Sequence, residues 1–236
     1  QGKWPVIFLS FAGIKGRTYD DTMVQMKKLL TKLYLEFPER YRYEGFENNE
    51  RQSLIKICED MSDTEAALSV NLLSGLLRKV YGKKVLIFLD EYDTPLQEAY
   101  INGYWDDLVA FTRTMFNNAF KTNPSLERGI MTGITRVSKE SIFSDLNNLV
   151  VVTTTSNLYA DCFGFTEEEV FQALEDQGFT EKDKQDVKRW YDGFTFGPVT
   201  DIYNPWSITN FLNEKKLKVY WANTSSNGLV GQLQRT

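Results

Sequence analysis

The feature that most constrains the fold of this chain is a short, uninterrupted apolar run that ends in two acidic residues. Lys84–Leu89 (KVLIFL) is followed directly by Asp90 and Glu91. Strands buried on both faces have continuous apolar runs, whereas strands with one solvated face alternate apolar and polar residues. A second apolar run, Trp4–Phe11 (WPVIFLSF), lies near the start. Both runs therefore predict buried strands of a parallel sheet.

Helical periodicity fills the segments around these strands. One apolar stripe ends before Pro38, and another lies between a Ser62/Glu65 capping box and Gly82. Strands that alternate with helices indicate βαβ units, so we predict an α/β fold of three layers with a mainly parallel sheet covered on both faces. The further predicted elements are a helix over about Trp105–Phe120 and strands over Gly129–Ile134 and Leu149–Thr154.

After about residue 160 the pattern becomes helical. Thr166 and Glu169 form a second capping box, Gly178 is placed as a helix end, and Thr180–Trp190 has helical spacing. We therefore predict an α/β core over residues 1–160 and a small helical subdomain over residues 161–236.

Aromatic residues concentrate near the end of the chain. They could form a surface for a base, a peptide or single-stranded nucleic acid. They could equally pack into the core of the small subdomain, which is the interpretation we favour. The residues concerned are Trp190, Tyr191, Phe194, Phe196, Tyr203, Trp206, Tyr220 and Trp221.

Composition excludes several kinds of chemistry. The chain of 236 residues contains no histidine, so Ser-His-Asp catalysis, Cys-His catalysis and histidine metal ligands are ruled out. Its two cysteines, Cys58 and Cys162, form no CxxC pair, so no zinc ribbon or redox motif is indicated. A net charge of -5 gives no electrostatic reason to expect nucleic acid as a main partner. With no membrane-spanning apolar run and no signal peptide, we expect a cytoplasmic protein with no membrane partner.

The two acids after Lys84–Leu89 have the pattern of a Walker B motif. Ligands of an open parallel sheet bind beyond the carboxyl ends of its strands, where Asp90 and Glu91 lie. Asp90 would hold Mg²⁺, a hard cation that prefers oxygen ligands, and Glu91 would polarise the water that attacks a γ-phosphate. The alternative, that these acids only begin a solvated loop, stays open from this pattern alone.

A second polar pair follows the next predicted strand. In ATPases that share this Walker B arrangement, the strand next to the Walker B strand ends in a polar residue, called the sensor, that contacts the γ-phosphate. Thr135 and Arg136 come directly after Gly129–Ile134 and fit that place. The guanidinium of Arg136 could donate two parallel hydrogen bonds to a phosphate, or it could form a surface salt bridge.

No phosphate-binding loop of the form G-x-x-x-x-G-K-[ST] occurs in the chain. The nearest candidate, Gly13–Thr18, follows a strand and opens a helix. However, Arg17 stands where the lysine should be, and Phe11 stands where the first glycine should be. We interpret this segment as a loop with polar residues that cap a helix.

Several stretches, taken in order, resemble the AAA-ATPase-like family, a bacterial group of P-loop ATPase domains often joined to a C-terminal restriction-endonuclease-like nuclease domain. The stretches that carry this resemblance are WPVIFLSF, KKVLIFLDEYDTPLQEAYINGYW, ERGIMTGITRVSKESIFSDLNNL, FGFTEEEV, WYDGFTFG, IYNPWSITNFL and YWANTSSN. They run over nearly the whole chain, and LDEYDTP, TGITRVSKESIFS and YNPWS are specific in combination.

The resemblance implies a P-loop NTPase-like core, with Asp90 and Glu91 as the Walker B pair, Asp93 beside them and Arg136 as a sensor-like arginine. It also implies Mg²⁺ and ATP as cofactors, a phosphate loop upstream of Trp4 and any nuclease domain after Thr236. Without the phosphate-loop strand the sheet would have a gap at its centre. We therefore expect that strand to be supplied, or the fragment to rearrange or to pair with another copy.

Three functions remain open at this point. The first is an ATP-dependent enzyme or switch, inactive as this chain alone because the phosphate loop is missing. The second is a non-catalytic interaction module on an ATPase scaffold, with a protein partner or self-association. The third and weakest is a metal nuclease built on Asp90, Glu91 and Asp93; otherwise we expect nucleic acid contact only through a downstream nuclease-like domain.

Overall fold

The computed structural model describes residues 2–38, 43–134, 143, 146 and 148–221. The chain divides into two compact units, Gln1–Leu149 and Val150–Thr236. In the described part of the chain, no helix is both long and apolar enough to cross a membrane.

The first unit contains a parallel three-stranded sheet. Its strands are β1 (Val6–Ser10), β2 (Val85–Asp90) and β3 (Leu126–Met131), and β2 lies in the middle. Ile7 of β1 is level with Ile87 of β2, and Ile87 is level with Gly129 of β3. The predicted α/β class with parallel strands is confirmed.

Helices of the first unit form where the periodicity and capping residues indicate them. Ser62 and Glu65 form the predicted reciprocal capping box, and Gly82 ends that helix in the left-handed conformation, with φ of 66°. The helices are α1 (Tyr19–Leu35), α2 (Asn48–Glu59), α3 (Asp63–Tyr81), α4 (Thr94–Asn102) and α5 (Trp105–Phe116), and a π-helical turn over Asn117–Lys121 follows α5.

One face of the sheet is buried and the other is open among the described residues. The side chains of Ile7, Ile87 and Leu89 are at most 1% exposed and belong to one core with the inward faces of the helices. On the opposite face Phe8 is 58% exposed and Ile130 is 49% exposed. The described residues therefore show two layers rather than the three that were predicted.

The expected gap at the centre of the sheet is not seen between the described strands, which are directly adjacent. Instead β3 pairs with β2 on one side, and no strand in the described residues pairs with its other edge. The gap was expected between β3 and the last predicted strand, Leu149–Thr154; that segment forms no strand, so β3 lies at the edge of the described sheet.

The second unit is mixed: it contains helices, as predicted for this part of the chain, and also a sheet that was not predicted. Helices α6 (Glu167–Asp176), α7 (Glu181–Tyr191) and α8 (Pro205–Glu214) are present, but they accompany an antiparallel sheet. Its strands are β4 (Phe165–Thr166), β5 (Asp192–Phe196) and β6 (Val199–Tyr203), with β6 in the middle.

The aromatic residues of the second unit divide between core and surface. Tyr191 and Tyr203 are buried in the same cluster as Phe211, as the favoured interpretation expects. Trp190 and Trp206, by contrast, are each about half exposed. The predicted core therefore accounts for the tyrosines and not for these tryptophans.

The predicted strand Leu149–Thr154 is wrong. The segment forms no ladder, and it leads into a turn in which the Thr153 N–H donates to Ser156 Oγ. Val150 is 70% exposed and Val151 is 41% exposed, whereas Leu149 packs partly against the core of the first unit.

Candidate functional site

Asp90 ends the middle strand of the parallel sheet and is contacted from both neighbouring strands. Ser10, the last residue of β1, donates its hydroxyl to Asp90 Oδ2 at 3.0 Å. Thr132, directly after β3, donates its hydroxyl to Asp90 Oδ1 at 2.7 Å. The three side chains lie at the carboxyl ends of the strands, where ligands of parallel sheets bind.

The main chain fixes this row of residues. The Phe11 N–H donates to the carbonyl of Asp90 at 2.8 Å, and the Thr132 N–H donates to the carbonyl of Leu89 at 2.8 Å. The Tyr92 N–H donates in turn to the carbonyl of Thr132 at 3.0 Å. The hydrogen-bond pattern of the sheet thus continues one residue past the strand ends, and it keeps Ser10, Asp90 and Thr132 side by side.

Glu91 follows Asp90 in an unusual backbone conformation. Its φ is +49°, in the left-handed region that non-glycine residues rarely adopt. The Thr94 N–H donates to the carbonyl of Glu91, and the Thr94 hydroxyl donates to Glu91 Oε2 at 3.0 Å. The Glu91 side chain is exposed at the turn between β2 and α4.

Asp93, the third acid predicted for the site, is completely buried. Gln97 donates to its Oδ2 at 2.8 Å from the next turn of α4. A Cβ atom at Gly133 would overlap the other oxygen of Asp93, so glycine is required for the close approach of the chain after β3. Asp93 thus does not present its carboxylate to solvent beside Asp90.

The predicted sensor residues Thr135 and Arg136 lie outside the described residues. The polar residues that the structure places beside Asp90 are Ser10 and Thr132, and neither was predicted from the sequence. The prediction extended the strand to Ile134, whereas β3 ends at Met131. The available signal was that Thr132 is the first polar residue after the apolar pair Ile130 and Met131.

The segment Gly13–Thr18 is a capping loop, as interpreted from the sequence. Thr18 is the N-cap of α1, and its hydroxyl accepts the Asp21 N–H at 3.2 Å. The Tyr104 hydroxyl donates to the Gly16 carbonyl at 2.6 Å and also contacts Thr22, and burial raises the pKa of Tyr104. These contacts anchor the loop beside the start of α5.

The oxygen donors around Asp90 suit a hard divalent cation, because Mg²⁺ binds through one or two carboxylates and keeps several waters. However, no group of three or more Asp, Glu or Cys side chains that could hold a metal occurs among the residues the structure describes. Asp90, Glu91 and Asp93 have different partners, namely the two strand-end hydroxyls, Thr94 and Gln97. This separation gives no support to a nuclease centre built on the three acids.

Comparisons with known proteins agree with the sequence resemblance. Residues 1–143 match a family model described as "AAA-ATPase_like: Predicted AAA-ATPase". The chain is 25% identical over 186 residues to an uncharacterized protein in the vnfD 5′ region of Azotobacter chroococcum mcd 1. That alignment covers 72% of this chain and 35% of the relative, so the chain spans about a third of the relative's length. No solved structure matches the chain.

Proposed function

Since the chain belongs to the AAA-ATPase-like family, we propose that it forms the acidic half of an ATP-binding and ATP-hydrolysing site. The observation that carries this proposal is the position of Asp90. Its carboxylate lies at the carboxyl end of the middle strand, between the hydroxyls of Ser10 and Thr132. This is the part of a parallel sheet where a metal-bound triphosphate would lie.

Each predicted residue has a role in this proposal. Asp90 would hold Mg²⁺ through water, and the exposed Glu91 would orient and polarise the attacking water. Thr135 and Arg136 would contact the γ-phosphate, and Asp93 would fix the loop that carries Glu91. Bound Mg²⁺ neutralises the charge that develops on the transferring phosphoryl group.

The fold in this proposal is a P-loop NTPase-like core completed by a further strand and helix. The unpaired edge of β3 would receive the phosphate-loop strand, and the open face around Phe8 and Ile130 would receive the helix. Half-exposed apolar side chains on a sheet are typical of a surface that another element covers. Residues 1–160 would then be the core and residues 161–236 a lid-like subdomain, and this chain without the phosphate loop would be inactive.

The test uses the longest natural protein that contains this chain, called the full-length protein below. Calorimetry with ATP should detect binding that depends on Mg²⁺. Glu91→Gln should abolish turnover and spare binding, because the amide cannot activate water but keeps the size of the side chain. Glu59→Gln, on an exposed residue at the end of α2, is the matched control and should leave turnover unchanged. Absence of Mg²⁺-dependent ATP binding would show the proposal to be wrong.

A second candidate function is a non-catalytic interaction module. The open apolar sheet face favours it, because such a surface binds proteins as readily as it binds a further element of the same chain. This function predicts no nucleotide binding in the full-length protein, together with a stable complex with another protein or with a second copy. A cytoplasmic location remains an expectation from the sequence pattern, and nucleic acid contact through a downstream nuclease-like domain remains an expectation of the resemblance.

A further inference from the structure

Both oxygens of the Asp90 carboxylate are engaged by hydroxyl groups from opposite sides. Ser10 reaches Oδ2 from β1, and Thr132 reaches Oδ1 from the end of β3. Because β1 and β3 flank β2, the line between the two carboxylate oxygens runs across the sheet rather than along the strand. The two hydroxyls therefore give the carboxylate a defined orientation.

This arrangement depends on the tertiary fold and not on local sequence. Ser10 and Thr132 are 80 and 42 residues away from Asp90 along the chain. Their main chains are held beside Asp90 by ladder hydrogen bonds of 2.8 Å, from Phe11 to the Asp90 carbonyl and from Thr132 to the Leu89 carbonyl. Each hydroxyl thus starts from a fixed backbone position and needs only one side-chain torsion to reach the carboxylate.

The hydroxyls leave the carboxylate able to bind more. An ionised carboxylate has about four lone-pair positions, so one donor on each oxygen leaves about two of them available. Asp90 is partly exposed, and Thr132 is exposed at the rim of the sheet. The remaining positions are therefore accessible to the water shell of a cation.

We propose that Ser10 and Thr132 are positioning residues that orient the Asp90 carboxylate for a hydrated divalent cation. The proposal rests on the proposed function for the identity of the cation as Mg²⁺ that accompanies a nucleotide. The two hydroxyls act through Asp90 and do not touch the reacting atoms. Hydrogen-bond partners of a metal-binding carboxylate typically contribute about 10- to 100-fold to metal affinity.

The experiment measures Mn²⁺ binding to the full-length protein by electron paramagnetic resonance, with and without ATP. Ser10→Ala and Thr132→Val should each weaken the Asp90-dependent binding about 10-fold. The conservative changes Ser10→Thr and Thr132→Ser keep the hydroxyls and should restore it. Asp90→Asn defines the signal of this site, and Thr114→Val on the exposed face of α5 is the control for a Thr-to-Val change away from the site.

A purely structural role for the hydroxyls would change the melting temperature and leave the Mn²⁺ affinity unaltered. Wild-type Mn²⁺ affinity in Ser10→Ala and Thr132→Val, with loss only in Asp90→Asn, would therefore overturn the positioning role and leave the ATPase proposal standing. Weakened binding in the hydroxyl variants of a protein that does not hydrolyse ATP would support positioning and refute hydrolysis. No Asp90-dependent Mn²⁺ binding in either condition would overturn both.

Discussion

The backbone of Glu91 is the clearest sign of strain beside the candidate site. A non-glycine residue in the left-handed region costs on the order of 1–3 kcal/mol, and strain of this kind tends to occur at functional positions. With φ at +49°, the turn places the exposed Glu91 side chain next to Thr94 instead of continuing the strand. A glutamate kept at a position that suits glycine is consistent with a role for its carboxylate.

Replacing Glu91 with glycine should therefore stabilise the protein. Glycine adopts this conformation without steric cost but loses more conformational entropy on folding, so we expect a gain of about 1 kcal/mol in the free energy of unfolding. Urea denaturation of the variant measures it. Lys215→Gly, at φ of +55° in the C-cap of α8, is the matched change away from the site and should stabilise similarly. Destabilisation by Glu91→Gly alone would show that the turn depends on the carboxylate.

At Gly133 a side chain should destabilise the protein, because the main chain there lies against the buried carboxylate of Asp93. A Cβ atom would overlap Asp93 and crowd the Tyr92 ring, both of which are buried. Gly133→Ala should lower the free energy of unfolding by about 2 kcal/mol, the usual cost of overpacking. Gly13→Ala is the control, since a Cβ at Gly13 would meet nothing within 4 Å. Equal denaturation midpoints for the two variants would contradict this account.

At the residue scale, the sequence predicts the acids and not their partners. Asp90 is found because a strand of unbroken apolar residues ends at it. Ser10 and Thr132 could not be assigned, because their contact with Asp90 depends on the register of three strands and on where β3 ends. Because the predicted strand Gly129–Ile134 extends past Met131, where β3 ends, the pattern predicts Thr135 and Arg136 at the strand end instead of Thr132.

Among the elements, α3 is the one most fully encoded locally. Its Ser62 side chain accepts the Glu65 N–H, and the Glu65 carboxylate accepts the Ser62 N–H. Lys56 also pairs with Glu65, and the pKa of this carboxyl is lowered to about 2 by hydrogen bonds from Lys56 and Ser62. Both ends of the helix could therefore be placed from sequence.

Removing the Ser62 hydroxyl should destabilise this element. We expect Ser62→Ala to lower the free energy of unfolding by about 1 kcal/mol, as is typical for loss of an N-cap. Thermal unfolding followed by circular dichroism provides the measurement. Ser53→Ala, inside α2 where the hydroxyl only bonds back to the Asn49 carbonyl, should be close to neutral. A neutral Ser62→Ala would mean that water replaces the cap without cost.

The hairpin of β5 and β6 shows why some elements were missed. Phe194 and Phe196 alternate with Gly193 and Thr195, which is a strand period of two, but the segment contains only five residues before the turn at Gly197. Leu149–Thr154 has the reverse problem, since it has strand-forming residues but no partner strand in the described chain. Short strands are specified by pairing partners more than by their own residues.

The same hairpin holds an acidic pair that should make stability depend on pH. Burial and the neighbouring Asp201 raise the pKa of Asp192, whereas hydrogen bonds from Thr200, Lys188 and Asp192 lower the pKa of Asp201. A carboxyl with a raised folded-state pKa stabilises the fold while it is protonated. That stabilisation is lost as the pH rises through the raised pKa.

Asp192→Asn keeps a neutral donor at every pH and should therefore stabilise the protein above the raised pKa. The gain should be about 0.5 kcal/mol near pH 7, since solvent screens this partly exposed pair, and should vanish in acid. Melting temperatures across the pH range test it. Asp201→Asn is the opposing variant: it should lower the melting temperature at neutral pH, and its loss should shrink as the pH falls. If the melting temperatures of wild type and Asp192→Asn change with pH in parallel, the raised pKa of Asp192 does not contribute to stability.

For the molecule as a whole, the open face of the parallel sheet is the feature that the sequence could not foretell. The apolar residues of β1 and β2 predict strands buried on both faces. Such a pattern reflects the burial of these strands in the complete domain. In the described chain the helices cover one face, and Val6 and Phe8 remain about half exposed on the other. The apolar sequence of β1 agrees with the exposure of Val6 and Phe8 if a further segment of a longer protein covers this face.

The stability contribution of Phe8 distinguishes a covered face from an open one. In this chain Phe8→Ala should cost about 1 kcal/mol, because the side chain is already 58% exposed. Leu9→Ala on the buried face should cost about 3 kcal/mol. In the full-length protein the cost of Phe8→Ala should rise to about 3 kcal/mol, while that of Leu9→Ala stays unchanged, if the proposed phosphate-loop helix covers the face. Denaturant unfolding followed by circular dichroism measures all four values. A small cost for Phe8→Ala in both proteins would mean that the face stays open to a partner.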